Sequence, residues 1–70
     1  MKEKTRKKIV EVASELFAKY GFHKTSMDEI ARTARKAKGS LYYHFASKEE
    51  LFTEVVSQEF ELLKRELIVV

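Results

Sequence analysis

Seventy residues with no cysteine, no proline and only two glycines make one small domain, which excludes disulfides, thiolate catalysis, zinc–thiolate sites and a two-domain enzyme with its own cleft. With 44% apolar and 36% charged residues the chain reads as a soluble, cytoplasmic helical domain; apolar runs stop at three or four residues, short of a membrane span, and none follows the basic start as in a signal peptide. The net charge of +3 hides a pattern: Lys2, Lys4, Arg6, Lys7 and Lys8 against Glu3 give +4, Arg32, Arg35, Lys36, Lys38 and Lys48 give residues 30–48 +5, and six glutamates against Lys64 and Arg65 leave residues 49–70 at −4.

The spacing predicts a first helix over about residues 5–20. Ile9, Ala13, Leu16, Phe17 and Tyr20 fall on one stripe of a 3.6-residue period. Lys2 and Lys4 precede that stripe and are expected on a disordered arm. Gly21 stands where a helix ends on a left-handed residue, and Phe22 is expected to fold back on that end. Ser26-x-x-Glu29 is a capping box that opens a second helix, residues 27–34, with Met27, Ile30, Ala31 and Ala34 on its apolar face. Arg35-Lys36-Ala37 interrupt the pattern as a tight turn. A third helix, 38–45, follows with Leu41 and Phe45 inward. Ser47-x-x-Glu50 is a second capping box, and the fourth helix, 48–66, continues through Leu51, Phe52, Val55, Val56, Phe60 and Leu63. The chain stops on Leu67-Ile68-Val69-Val70, read as a helix cut before it reaches its partner. The expected fold is all-α: a three-helix bundle with a helix-turn-helix, plus the start of a fourth, linking helix, forming one domain over residues 1–70.

Catalysis finds little to work with. His23 and His44 lie 21 residues apart and neither belongs to a metal-ligand pattern. Gly39 stands alone, so there is no phosphate-binding glycine loop. Glu49-Glu50 is explained by favourable charge at a helix N-terminus. The chain is read as a non-enzyme with no cofactor and no metal site.

The second and third helices with their three-residue turn outline a helix-turn-helix. At about 100° per residue, Gly39 and Tyr43 lie opposite Leu41 and Phe45 on the third helix. Lys36 joins that outer face, and Ser40 and Tyr42 flank it. The DNA major groove, about 12 Å wide, admits one helix. A glycine lets the backbone approach, a lysine reads guanine or holds phosphate, and tyrosine hydroxyls donate to phosphates. Two positive blocks converging on one face fit the same polyanion. Other readings stand beside these: Tyr42 and Tyr43 as core aromatics, His44 as a spacer against the fourth helix, Arg32 and Arg35 as solvated charges.

The string Lys38-Gly39-Ser40-Leu41-Tyr42-Tyr43-His44-Phe45, followed by Ser47-Lys48-Glu49-Glu50-Leu51-Phe52, closely resembles the signature of the tetracycline-repressor (TetR) family of bacterial transcriptional regulators. Upstream, Ala13-x-x-Leu16-Phe17-x-x-x-Gly21-Phe22-x-x-Thr25-Ser26-Met27-x-x-Ile30-Ala31-x-x-Ala34 is similar to the first two helices of that family, so the resemblance spans about residues 5–56. It implies a DNA-binding head whose third helix enters the major groove. It also implies a separate helical domain, absent from these residues, that dimerises and takes a small-molecule effector. By motif match, Thr25 and Ser26 are phosphate contacts, Lys38, Gly39 and Ser40 face the groove, and Tyr42, Tyr43, His44 and Lys48 touch backbone or base edges; Lys36 adds charge at that edge.

Three residues depart from the family pattern of Gly-Val-Ser. Arg35 replaces a turn glycine, at about 1 kcal/mol if the turn needs a positive φ. Lys36 replaces an apolar plug. Ala37 replaces a capping serine, a loss of about 1 kcal/mol, and matches a contact position without the hydroxyl that would make the contact. The resemblance implies a repressor that binds a palindromic DNA operator as a full-length homodimer. These residues alone are then monomeric or weakly self-associating through Phe60, Leu63, Leu67 and Ile68. The rivals are a protein-interaction adaptor that docks through the fourth helix, and a basic helix on anionic membranes. Broken amphipathicity over residues 35–40 opposes the second.

Overall fold

The computed structural model describes residues 2–69, with side chains described for residues 3–60. The chain folds as four helices: α1 (Lys2–Tyr20), α2 (Met27–Ala34), α3 (Lys38–His44) and α4 (Lys48–Val69). α2 has the bounds its capping box predicts. α1 begins earlier than its apolar stripe, because lysine, glutamate and arginine are good helix formers and prolong it. Lys4 therefore rides on a helix and does not belong to a disordered arm. α3 stops at His44, one residue short of the expected end: Phe45 turns to an extended φ of −137° while its amide donates to the Leu41 carbonyl at 2.8 Å.

The core lies where α1 crosses the other three helices. Ile9, Ala13 and Phe17 of α1 meet Met27, Ile30, Ala31 and Ala34 of α2, Leu41 of α3, Phe45, and Leu51 and Val55 of α4; all are buried. Burial of such side chains at about 25 cal/mol per Å² holds the bundle together. Two expectations shift. Tyr20 is 47% exposed, so the stripe of α1 is not buried at its last residue. Among the described side chains of α4 only Leu51 and Val55 are buried, while Phe52, Val56 and Phe60 show increasing surface. Leu63, Leu67 and Ile68 lie outside the described side chains.

The ends of the helices carry the turn chemistry. Gly21 has φ +89°, so it is the left-handed residue its position predicts. Phe22 folds back as expected: its ring lies 5.8 Å from Phe17 and 4.9 Å from Phe52. Ser26 Oγ accepts from the Glu29 amide at 3.1 Å, and Ser47 Oγ from the Glu50 amide at 3.2 Å. The return bond of the second box reaches one residue further than usual, from the Ala46 amide to the Glu50 carboxylate at 2.9 Å.

Between α2 and α3 the chain makes a Schellman turn. The Lys36 amide donates to the Ala31 carbonyl at 2.9 Å and the Arg35 amide to the Arg32 carbonyl at 3.1 Å. This requires a left-handed residue at Arg35, which sits at φ 58°, ψ 43°. An arginine thus holds the conformation that suits glycine. Ala37 takes the cap position of α3 in extended conformation, with no side-chain hydroxyl to offer.

Candidate nucleic-acid interface

α3 turns Leu41 into the core and leaves the opposite side at the surface. Tyr43 is 65% exposed, and Tyr42 is 44% exposed. Both phenols are therefore surface groups, which removes the core reading of each. Gly39 is exposed on the same side. A Cβ built on it meets nothing within 4 Å among the described residues, and its φ is not positive. Nothing inside the domain calls for a glycine there, although glycine costs a helix about 1 kcal/mol relative to alanine. Ser40 on α3 and Lys36 in the turn before it are half-buried.

Beside α3, a hollow of about 340 Å³ opens at the start of α2. Ser26, Lys24, His23, Tyr42 and Lys48 line it, with Asp28 and Lys38. The first-turn amides of α2 have no intrahelical acceptor, and the helix dipole is positive at this end. On the side of Ser26, Lys24 and Lys48, away from the Asp28–Lys38 pair, hydroxyl, ammonium and amide groups suit an oxygen anion of phosphate type. Lys48 is fixed in place: its Nζ donates to the Phe22 carbonyl at 2.8 Å and lies 4.2 Å over the Phe22 ring. An ammonium has three donors, so this bond leaves capacity for a ligand oxygen.

Lys38 opens α3 and forms an ion pair with Asp28 of α2 at 2.8 Å. The hydrogen bond from Lys38, and then its charge, hold the Asp28 carboxyl below its ordinary range. The same bond and charge from Asp28 push the Lys38 ammonium up. Both groups stay ionised across the neutral range.

Two expected cations or donors are spent inside the fold. Thr25 is 1% exposed; its hydroxyl donates to the Gly21 carbonyl at 2.9 Å, with the Leu16 carbonyl at 3.3 Å. Its amide donates to the Phe22 carbonyl at 3.4 Å. Thr25 therefore braces the α1–α2 loop with its side-chain hydroxyl, which is committed to backbone carbonyls in this fold. Arg6 leaves the N-terminal basic block: its guanidinium pairs with Glu54 at 3.2 Å and lies 4.9 Å over the Phe45 ring. His44 stands half-buried beside them, edge-on to Tyr43 at 5.0 Å and against a recess formed with Glu50, Thr53 and Glu54 of α4. His44 thus stands between the exposed Tyr43 and the α4 recess. Of the expected set, Ser26, Lys38, Tyr42 and Lys48 line the hollow together, while Gly39 and Tyr43 are exposed on α3.

Sequence reasoning missed Asp28, which no helical period links to Lys38 ten residues later. It also missed Lys24 and His23 as walls of the hollow, which only the folded loop brings near Lys48. Among the described residues, no three histidine, cysteine or acidic side chains group as a metal site, and no helix is long and apolar enough to cross a membrane.

The family model described as "Bacterial regulatory proteins, tetR family" matches residues 9–55. The chain is 48% identical over 52 residues to the HTH-type transcriptional regulator QacR of Staphylococcus aureus, covering 74% of this chain and 28% of that protein. It is 42% identical over 65 residues to the probable acrEF/envCD operon repressor of Escherichia coli, covering 93% of this chain and 29% of that protein. Among solved structures it superposes on NalD, the secondary repressor of the MexAB-OprM multidrug efflux pump in Pseudomonas aeruginosa, with a TM-score of 0.80 and 43% identity over 83% of this chain and 29% of that one. The chain thus spans less than a third of the length of each of these proteins.

Proposed function

Since the chain belongs to the TetR family of bacterial regulatory proteins, we propose that residues 1–70 are its DNA-reading head, binding duplex DNA sequence-specifically with α3 in the major groove. The observation that carries this reading is Gly39. A helical glycine with open space around it has no reason inside the fold, and close approach of a groove to the α3 backbone supplies one. Tyr43, on the same face, then reaches base edges or the sugar–phosphate chain. Ser26, Lys48, Tyr42 and the α2 start take a phosphate on one side, and Lys4, Lys7 and Lys8 of α1 supply further positive charge.

The rest of the reading concerns residues beyond these. A further helical domain makes the protein a homodimer on a palindromic operator, takes a small-molecule effector and acts as a cytoplasmic repressor. Of the relatives, the Escherichia coli protein is the probable acrEF/envCD operon repressor and the Pseudomonas aeruginosa protein is the secondary repressor of the MexAB-OprM multidrug efflux pump. The exposed Phe52, Val56 and Phe60, spaced four residues apart along α4, support a covering layer there.

Selection of duplexes from a random pool tests the reading. The chain should enrich one sequence, and its affinity should fall with salt at a slope of about −3 to −4.5 for three to five phosphate contacts. Tyr43→Ala should weaken the selected duplex by about 1–3 kcal/mol and random DNA by less. Gly39→Asp should weaken it further. A pool that yields no enriched sequence, from this chain or from a full-length dimer, overturns the proposal.

A further inference from the structure

The Asp28–Lys38 ion pair joins the two helices of the helix-turn-helix across their open edge. Both side chains are 59% exposed, and both line the hollow that holds Ser26, Tyr42 and Lys48. A pair this open contributes little to folding. Its consequence falls on whatever meets the surface. Residues 30–48 carry five cations and no acid along the sequence, yet in the fold one of the five has a carboxylate on it. A phosphate approaching Lys38 must displace Asp28 or lie beside a second anion.

A base edge places no such demand. Guanine O6 and N7 are neutral acceptors, and the Lys38 ammonium has two donors beyond the one on Asp28. The pair can therefore persist against a base, whereas it opposes a phosphate. Resting on the proposal that α3 reads DNA, we infer that Asp28 is a specificity-determining residue: it cancels the charge with which Lys38 would hold any duplex, and keeps that lysine for base edges. The other ionisable groups on the hollow, Lys24, Lys48, His23 and Tyr42, bring no second carboxylate to it among the described residues.

The inference is tested with duplexes selected by the wild-type chain, by measuring dissociation constants on the selected and a random duplex over a range of salt. Asp28→Asn keeps the size of the side chain and removes its charge. It should bind the random duplex about eightfold more tightly at 0.1 M salt, with the slope steeper by about 0.9, the increment of one added phosphate contact. The ratio of selected to random affinity should fall. Asp28→Glu, which keeps the charge, should hold the wild-type slope and ratio. In a Lys38→Gln background, Asp28→Asn should have little remaining effect. Circular dichroism confirms that each variant is folded. Unchanged slope and ratio in Asp28→Asn overturn the inference while leaving the DNA reading intact, and so does an effect of the same size in the Lys38→Gln background. A wild-type chain that selects no sequence overturns the DNA reading itself, and this inference with it.

Discussion

Replacing Arg35 by glycine should stabilise the domain. Arg35 sits at φ 58°, ψ 43° because the Schellman turn after α2 demands a left-handed residue. A side chain in that region costs about 1–2 kcal/mol. Glycine removes that cost but gives the unfolded chain more freedom, worth about 0.5–1 kcal/mol. The net gain is about 0.5–1 kcal/mol. Both turn hydrogen bonds use backbone groups and survive the change, and Arg35 is exposed, so no packing is lost. In a domain of this size about 1 kcal/mol moves the melting temperature by about 4–8 °C, so a rise of about 2–8 °C is expected. Thermal and urea melts followed by circular dichroism at 222 nm (~10 μM protein) measure it. Arg35→Ala is the control: it removes the guanidinium and keeps the Cβ, so it should melt close to wild type. A glycine variant that melts at or below the wild-type temperature refutes the argument. An alanine variant that gains as much as glycine shows that charge, and not backbone strain, was at issue.

Three more changes follow from the same geometry. Ala37→Ser places a hydroxyl at the cap of α3, whose backbone is already extended there at φ −68°, ψ 147°, and should raise stability by about 1 kcal/mol in urea denaturation; no gain would mean that a serine there does not reach the first-turn amides. Gly39→Ala should stabilise the fold by about 0.5–1 kcal/mol, because the added methyl meets nothing within 4 Å, and should weaken binding to the selected duplex. A stabilised variant with wild-type affinity would remove the argument that DNA approaches the backbone there. Arg6→Ala and Glu54→Ala, combined in a double-mutant cycle, should show coupling of about 0.2–1 kcal/mol, since the pair is partly exposed. Zero coupling would leave the Phe45 stacking as the only reason for the placement of Arg6.

Local signals in the sequence located the helices, and distant contacts stayed hidden. Ser26-Glu29 and Ser47-Glu50 announce α2 and α4 because a capping box acts within four residues. Gly21 and the apolar spacing of Ile9, Ala13 and Phe17 bound and orient α1 for the same reason. Tyr43 and Gly39 were legible as an outward pair because α3 is one helix with one phase. Thr25 was not. A threonine beside a serine cap looks equally available, and only the path of residues 21–25 brings its hydroxyl to the Gly21 and Leu16 carbonyls. Arg6 and Glu54 are 48 positions apart, and Lys48 and Phe22 are 26 apart. Charge counted along the chain assigned both cations to solvent or phosphate. Charge counted in space gives Arg6 to Glu54 and one bond of Lys48 to a carbonyl.

The helical start of α1 changes what kind of cationic element the domain carries. Lys4, Lys7 and Lys8 are exposed at positions i, i+3 and i+4, so they share one side of a rod, and about 6 Å of rise separates the first from the last. A tether would sweep a volume and settle on phosphates wherever they lay. A rod has one bearing, fixed by Ile9 and Ala13 in the core. Ordering these lysines belongs to folding and is complete before any polyanion arrives. Calorimetry of association should therefore lack the large negative heat-capacity change of an arm that folds on contact.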